Sequence, residues 1–79
     1  MFLWISGFLK GDDEDDSLKY DHTVLPEFEA AVMEVLGWDS LVGSPDGEWL
    51  LTSNQVEKIA LLINEPLPTA LDLFIGVRA

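Results

Sequence analysis

The residues able to do chemistry are few in kind. Histidine occurs once, at His22, and there is no cysteine. The imidazole next to Asp21 could accept a proton, but no serine sits in a strand–turn–helix context that would expose a nucleophile, so a Ser-His-Asp or Cys-His arrangement has no support. Two carboxylates can divide acid and base roles when their environments push their pKa values apart. With 15 Asp and Glu in 79 residues, however, carboxylate proximity alone says nothing about such a pair. Nucleophile, base and cofactor signature do not coincide anywhere, and the chain reads as a non-enzyme without a cofactor.

The run Gly11 to Ser17 (GDDEDDS) invites a calcium reading. A helix–loop–helix calcium loop needs glycine at its sixth position and glutamate at its twelfth. Counted from Asp12, those positions are Ser17 and Thr23, so both fail. Without cysteine a thiolate zinc site and a disulfide framework are also excluded, and no metal site is expected.

What remains is surface. Fifteen acids against four Lys and Arg give a formal net charge of −11. That balance excludes ordinary nucleic-acid binding, which needs cations to replace the phosphate counterions. It suits capture of a basic partner, with faster encounter at low salt. The candidate partner-binding residues are Asp12, Asp13, Glu14, Asp15 and Asp16 in the acidic run, Asp21 after it, and Trp38, Asp39, Asp46 and Glu48 around a later loop. Tryptophan anchors interfaces and carboxylates select the sign of the partner. Against this, the acidic run could be a merely solvated loop, and Trp38 and Trp49 could plug the ends of a small core. For Trp49, inside a strand, the core role is the better expectation; for Trp38 the two stand level.

Positioning these residues requires a fold, and the composition supplies one: 48% hydrophobic residues with three Trp and four Phe is more apolar material than a disordered chain carries. At this length one domain, 1–79, is expected. Phe2 to Leu9 reads as a strand with both alternating sets largely apolar, which marks an inner strand or one whose second face meets a partner. Gly7 in it suggests a bulge or a close backbone approach. This apolar run is far below the ~20 residues of a membrane span, has no basic region before it and an acidic block after it, so no membrane association and a cytoplasmic location are expected. The acidic run is expected as an exposed hairpin tip or a mobile loop, with Leu18 to Val24 as a short strand returning beside the first.

Pro26, Glu27 and Glu29 start a helix whose Phe28, Ala31, Val32, Val35 and Leu36 share a face, and Gly37 ends it. A turn-rich loop, Trp38 to Gly47, leads to a strand over Glu48 to Leu51. Thr52-x-x-Gln55 is a capping box, with Leu51 and Val56 as its staple, and Val56, Ile59, Ala60 and Ile63 form the inward stripe of a second helix. Leu61 and Leu62 fall outside that stripe. Past Pro66 and Pro68, Ala70 to Val77 alternates as a half-buried strand. The expected fold is α+β: a small three- to four-stranded sheet with two helices packed on one face, in the order β-(β)-α-β-α-β.

Taken together, this layout resembles the small bacterial immunity proteins paired with contact-dependent growth inhibition toxins or bacteriocins. The residues that carry the likeness are the first strand ending in Gly7-Phe8 and its acidic loop, the Leu25-Pro26-Glu27-Phe28 helix start, the Leu36-Gly37 helix end, the run Trp49-Leu50-Leu51-Thr52-x-x-Gln55, and the last strand. The resemblance implies stoichiometric inhibition of a cognate toxin domain, often a basic nuclease, whose phosphate-binding surface would meet carboxylates instead. Two other readings stay open on the residues themselves. One is an acidic nucleic-acid mimic that blocks a DNA-binding protein. The other is a structural homo-oligomer joined through Phe2, Trp4, Phe8 and Phe74, or through Leu61 and Leu62.

Overall fold

The structure, a computed structural model, describes residues 1–10, 17–38 and 47–78. The expected hairpin tip over the acidic run and most of the Trp38 to Gly47 loop lie outside the described residues.

Six elements follow one another: β1 (Phe2–Leu9), β2 (Tyr20–Thr23), α1 (Pro26–Leu36), β3 (Glu48–Leu50), α2 (Ser53–Leu62) and β4 (Leu71–Arg78). The fold is α+β, with one four-stranded sheet in the order β2-β1-β4-β3 and every pair antiparallel. β1 and β4 pair along their whole length, from Phe2 opposite Arg78 to Leu9 opposite Leu71. β1 is thus an inner strand, which accounts for its two apolar faces. β2 covers a narrower range than Leu18 to Val24, although backbone bonds from Lys19 N–H to the Gly7 carbonyl and from Val24 N–H to the Leu3 carbonyl continue the pairing at either end. Gly7 is a close approach and not a bulge: the register runs through it unbroken, and a Cβ there would stand 3.0 Å from both Tyr20 Cβ and Leu73 Cδ2.

One face of the sheet carries the core. Leu3, Ile5, Leu73 and Ile75 are buried against Val24, Val32, Leu51, Val56, Ile59, Ile63 and Leu67. Since Val32 lies on α1, and Val56 and Ile59 on α2, both helices cover the same face. Each fully buried Leu or Ile contributes about 1.5–3 kcal/mol relative to exposure, so this single layer carries most of the stability.

The helix ends follow the local chemistry. Pro26 occupies the first turn of α1, and Gly37 closes the helix in the left-handed region with φ 76°. At α2, Thr52 Oγ1 accepts from Gln55 N–H at 3.2 Å, while Gln55 Oε1 accepts from Thr52 N–H at 2.9 Å. Leu61 and Leu62 are exposed, as their place outside the stripe of α2 requires. Beyond α2 the chain turns through Asn64, a left-handed residue with φ 54°.

Candidate protein-binding face

The second face of the sheet has no described helix on it. Strand alternation and the register set its side chains in rows. One row is Glu48, Gly76, Trp4 and Thr23; the next is Leu50, Phe74, Ser6 and Asp21. Asp72 stands opposite Phe8, and Arg78 opposite Phe2. None of Phe2, Trp4, Phe8, Leu50 and Phe74 packs against the core cluster. They form a separate apolar layer that is half-buried to exposed. An apolar layer of this kind, with no described element over it, is a candidate interaction surface.

Two features organise this face. Phe8 and Phe74 meet edge to face, with centroids 5.8 Å apart and planes at 73°, a geometry that places a positive ring edge on a negative ring face. At the other end the Arg78 guanidinium carbon lies 4.5 Å from the Trp4 ring centroid, and its Nη2 donates to Glu48 Oε1 at 2.6 Å. Gly76 makes this arrangement compatible with a tight β3–β4 pair: it carries no side chain between Glu48 and Trp4, and a Cβ would lie 2.8 Å from the Gly47 carbonyl oxygen. Exposed cation–π contacts and surface ion pairs are each worth about 1 kcal/mol or less, so the pair orients Arg78 more than it stabilises the fold.

Ser6 stands in the middle of the face. It is 0% exposed, and its Oγ has no hydrogen-bond partner among the described residues. A buried hydroxyl left in that state costs about 1–3 kcal/mol.

Of the sequence-derived candidates, Asp12, Asp13, Glu14, Asp15, Asp16, Asp39 and Asp46 lie outside the described residues. Asp21 is exposed on β2 and belongs to the uncovered face, opposite Ser6. Glu48 is on the same face at β3, already engaged by Arg78. The flanks of the two acid-bearing segments attach at opposite ends of the central ladder: Leu9, before the first, pairs with Leu71, whereas Glu48, after the second, pairs with Gly76.

The tryptophans differ from each other. Trp38 is half-buried and packs against the core cluster. Trp49, expected as a core plug, is 47% exposed, because β3 is a three-residue edge strand and no described element closes over it. Both rings line one cleft of about 350 Å³ with Leu36, Leu51 and Gln55. Leu50, 58% exposed, borders the same cleft and stands opposite Phe74 in the sheet.

Sequence reasoning passed over Arg78, Ser6, Leu50 and Asp72. For Asp72 and Arg78 the signal was present: alternation in the last strand already sets Asp72, Phe74, Gly76 and Arg78 on one face. Ser6 and Leu50 needed the assembled sheet.

Elsewhere, His22 Nδ1 lies 3.4 Å from Glu65 Oε2. Burial, then the nearby charges of Glu65 and Asp21, raise the Tyr20 phenol above its ordinary value. Among the described residues no three of His, Asp and Glu gather as a metal site, and no helix is long and apolar enough to cross a membrane. Compared with protein-family models, curated proteins and solved structures, the chain matches none.

Proposed function

We propose that this chain is a stoichiometric inhibitor of the immunity type: it binds a basic toxin domain, most simply a nuclease, in the cytoplasm and covers its substrate-binding surface. The observation that carries this reading is a sheet face with no described helix over it, rich in aromatics, on a chain of net charge −11. The aromatic layer supplies desolvated contact area, where a few large side chains provide most of an interface's energy. The surrounding carboxylates accelerate encounter with a cationic surface and, once bound, repel a polyanionic substrate.

A homo-oligomer is the second reading, favoured by the same uncovered layer. Charge opposes it, since two copies would bring −11 against −11. The experiment is to purify the toxin-like domain encoded immediately upstream of this chain's gene and titrate its activity. Complete loss at one equivalent supports inhibition. Undiminished activity at tenfold excess, or the lack of any such domain, would set the proposal aside, and a salt-resistant dimer by light scattering would replace it.

A further inference from the structure

We propose that the outer edge of β3 is a strand-addition site, which takes an extended, apolar segment of a partner protein as a further strand of the sheet. The backbone carries the argument. Leu51 N–H donates to the Leu73 carbonyl at 2.8 Å, and the register sets Leu50 opposite Phe74 and Trp49 opposite Ile75. Bonded and non-bonded pairs alternate along an antiparallel ladder. Trp49 therefore turns its N–H and C=O toward β4, while Glu48 and Leu50 turn theirs outward. Among the described residues no strand lies beyond β3, and no backbone bond reaches these outward groups. Each outward residue presents one donor and one acceptor, which an antiparallel extended backbone matches in full.

The two edges of the sheet differ in their side chains. β2 also has an outer edge, but it carries Asp21 and the His22–Glu65 pair at 3.4 Å, and charged side chains keep an edge from pairing. On β3, Trp49 is 47% and Leu50 58% exposed, and the single charge, Glu48, is held by Arg78 at 2.6 Å. A strand laid along β3 alternates its side chains between the two sides of the sheet. The residue opposite Trp49 lies over the cleft of about 350 Å³ that Trp38, Trp49 and Gln55 line. The residue opposite Leu50 prolongs the apolar row of Leu50 and Phe74. Both positions call for apolar side chains, and the residue opposite Glu48 is not acidic, because like charges directly opposite destabilise a strand pair. The site rests on the inhibitor reading only in that the occupant is another protein. A second copy would bring −11 against −11.

The test uses the full chain, labelled for amide NMR, and the end-blocked, uncharged peptide Thr-Thr-Val-Leu-Val-Thr-Thr. Its twin is N-methylated at the three central residues and lacks their donors. In the free chain the Glu48 and Leu50 amides should exchange with solvent at least about tenfold faster than those of Trp49 and Leu51. The peptide should shift the Glu48 and Leu50 amides and bind at least about tenfold more tightly than its twin, the factor that a pair of lost hydrogen bonds gives. Leu50→Pro removes an outward N–H and leaves the β3–β4 ladder in place, and should weaken the peptide about fivefold. The peptide and its twin need no change to the chain, so they decide the matter if that variant does not fold. Shifts at Asp21 and Thr23 instead, equal binding of the twin, or no binding would overturn the proposal. Protection of the Glu48 and Leu50 amides in the free chain would also overturn it. Protection at every concentration would mean that the chain itself pairs with this edge, and protection only at high concentration that a second copy does. None of these outcomes touches inhibition through the uncovered face, so the two proposals fail separately.

Discussion

Ser6 is fully buried, carries a hydroxyl with no partner among the described residues, and stands where β1 crosses the middle of the uncovered face, and these facts make Ser6→Ala an unusual substitution. Alanine keeps the Cβ and removes only the oxygen. The unpaired hydroxyl costs about 1–3 kcal/mol. The dispersion attraction of that single oxygen, about 0.1–0.2 kcal/mol for each neighbouring atom, offsets only part of the gain from removing it. The variant should therefore be more stable than the parent by about 1 kcal/mol, a rise in Tm of about 4–8 °C for a domain of this length. Urea unfolding followed by tryptophan fluorescence reads it directly, and the slope m should stay constant, because the surface exposed on unfolding is nearly unchanged. Destabilisation by about 1 kcal/mol or more, the net worth of one hydrogen bond, would mean that the hydroxyl is paired in solution and would refute the reasoning. A stabilising change at this position also bears on function, since proteins keep locally unfavourable groups mainly where a partner or substrate uses them.

Three further outcomes follow from single contacts. Gly76→Ala places a methyl 2.8 Å from the Gly47 carbonyl oxygen, which is backbone and cannot swing aside; unfolding should show a loss of about 1–3 kcal/mol, and the Arg78–Glu48 pair should separate. Thr52→Ala removes the hydroxyl that accepts from Gln55 N–H and should cost about 1 kcal/mol, read as a lower urea midpoint at constant m. The only tyrosine, Tyr20, has its phenol raised by burial and the carboxylates of Glu65 and Asp21. A raised folded pKa means that the folded state holds the proton more tightly than the unfolded chain does. This contribution is complete below the unfolded value near 10 and is lost as pH climbs through the folded one. Tyrosinate absorbance should rise above pH 10 in the folded protein and nearer to it in urea.

The fold was legible where a residue's role is set within a few positions of it. Pro26 and Gly37 bound α1, and Thr52 with Gln55 starts α2, because caps are local hydrogen-bond chemistry. β1 spans Phe2–Leu9 as its apolar residues require. The strand order β2-β1-β4-β3 was not legible, because nothing in short alternating segments names a neighbour. Trp49 shows a related limit. Its strand position suggested burial, but a three-residue edge strand has no described element beyond it, and only the assembled sheet reveals that. The uncovered face lies between these cases. The doubly apolar β1 suggested an inner strand or a second face that meets a partner, and it is an inner strand; β4 carried the matching alternation. Arg78 over Trp4 and the orphaned Ser6 hydroxyl depend on register between the first and last strands of the chain, which alternation alone does not set. Seven of the ten candidate contact residues fall outside the described residues. Asp21 and Glu48 join the uncovered face, and Trp38 lies across the sheet from it.

The central claim is that a basic toxin domain is neutralised through the uncovered sheet face. Its most direct test is a titration of a candidate basic toxin domain with the wild-type chain and with Leu50→Lys, a change at an exposed residue that should leave stability within about 0.5 kcal/mol. The expected result is full inhibition at one equivalent of wild type and a weakening of at least about tenfold for the variant, the effect of placing a like charge against a cationic partner. Inhibition by Leu50→Lys indistinguishable from wild type would contradict the claim.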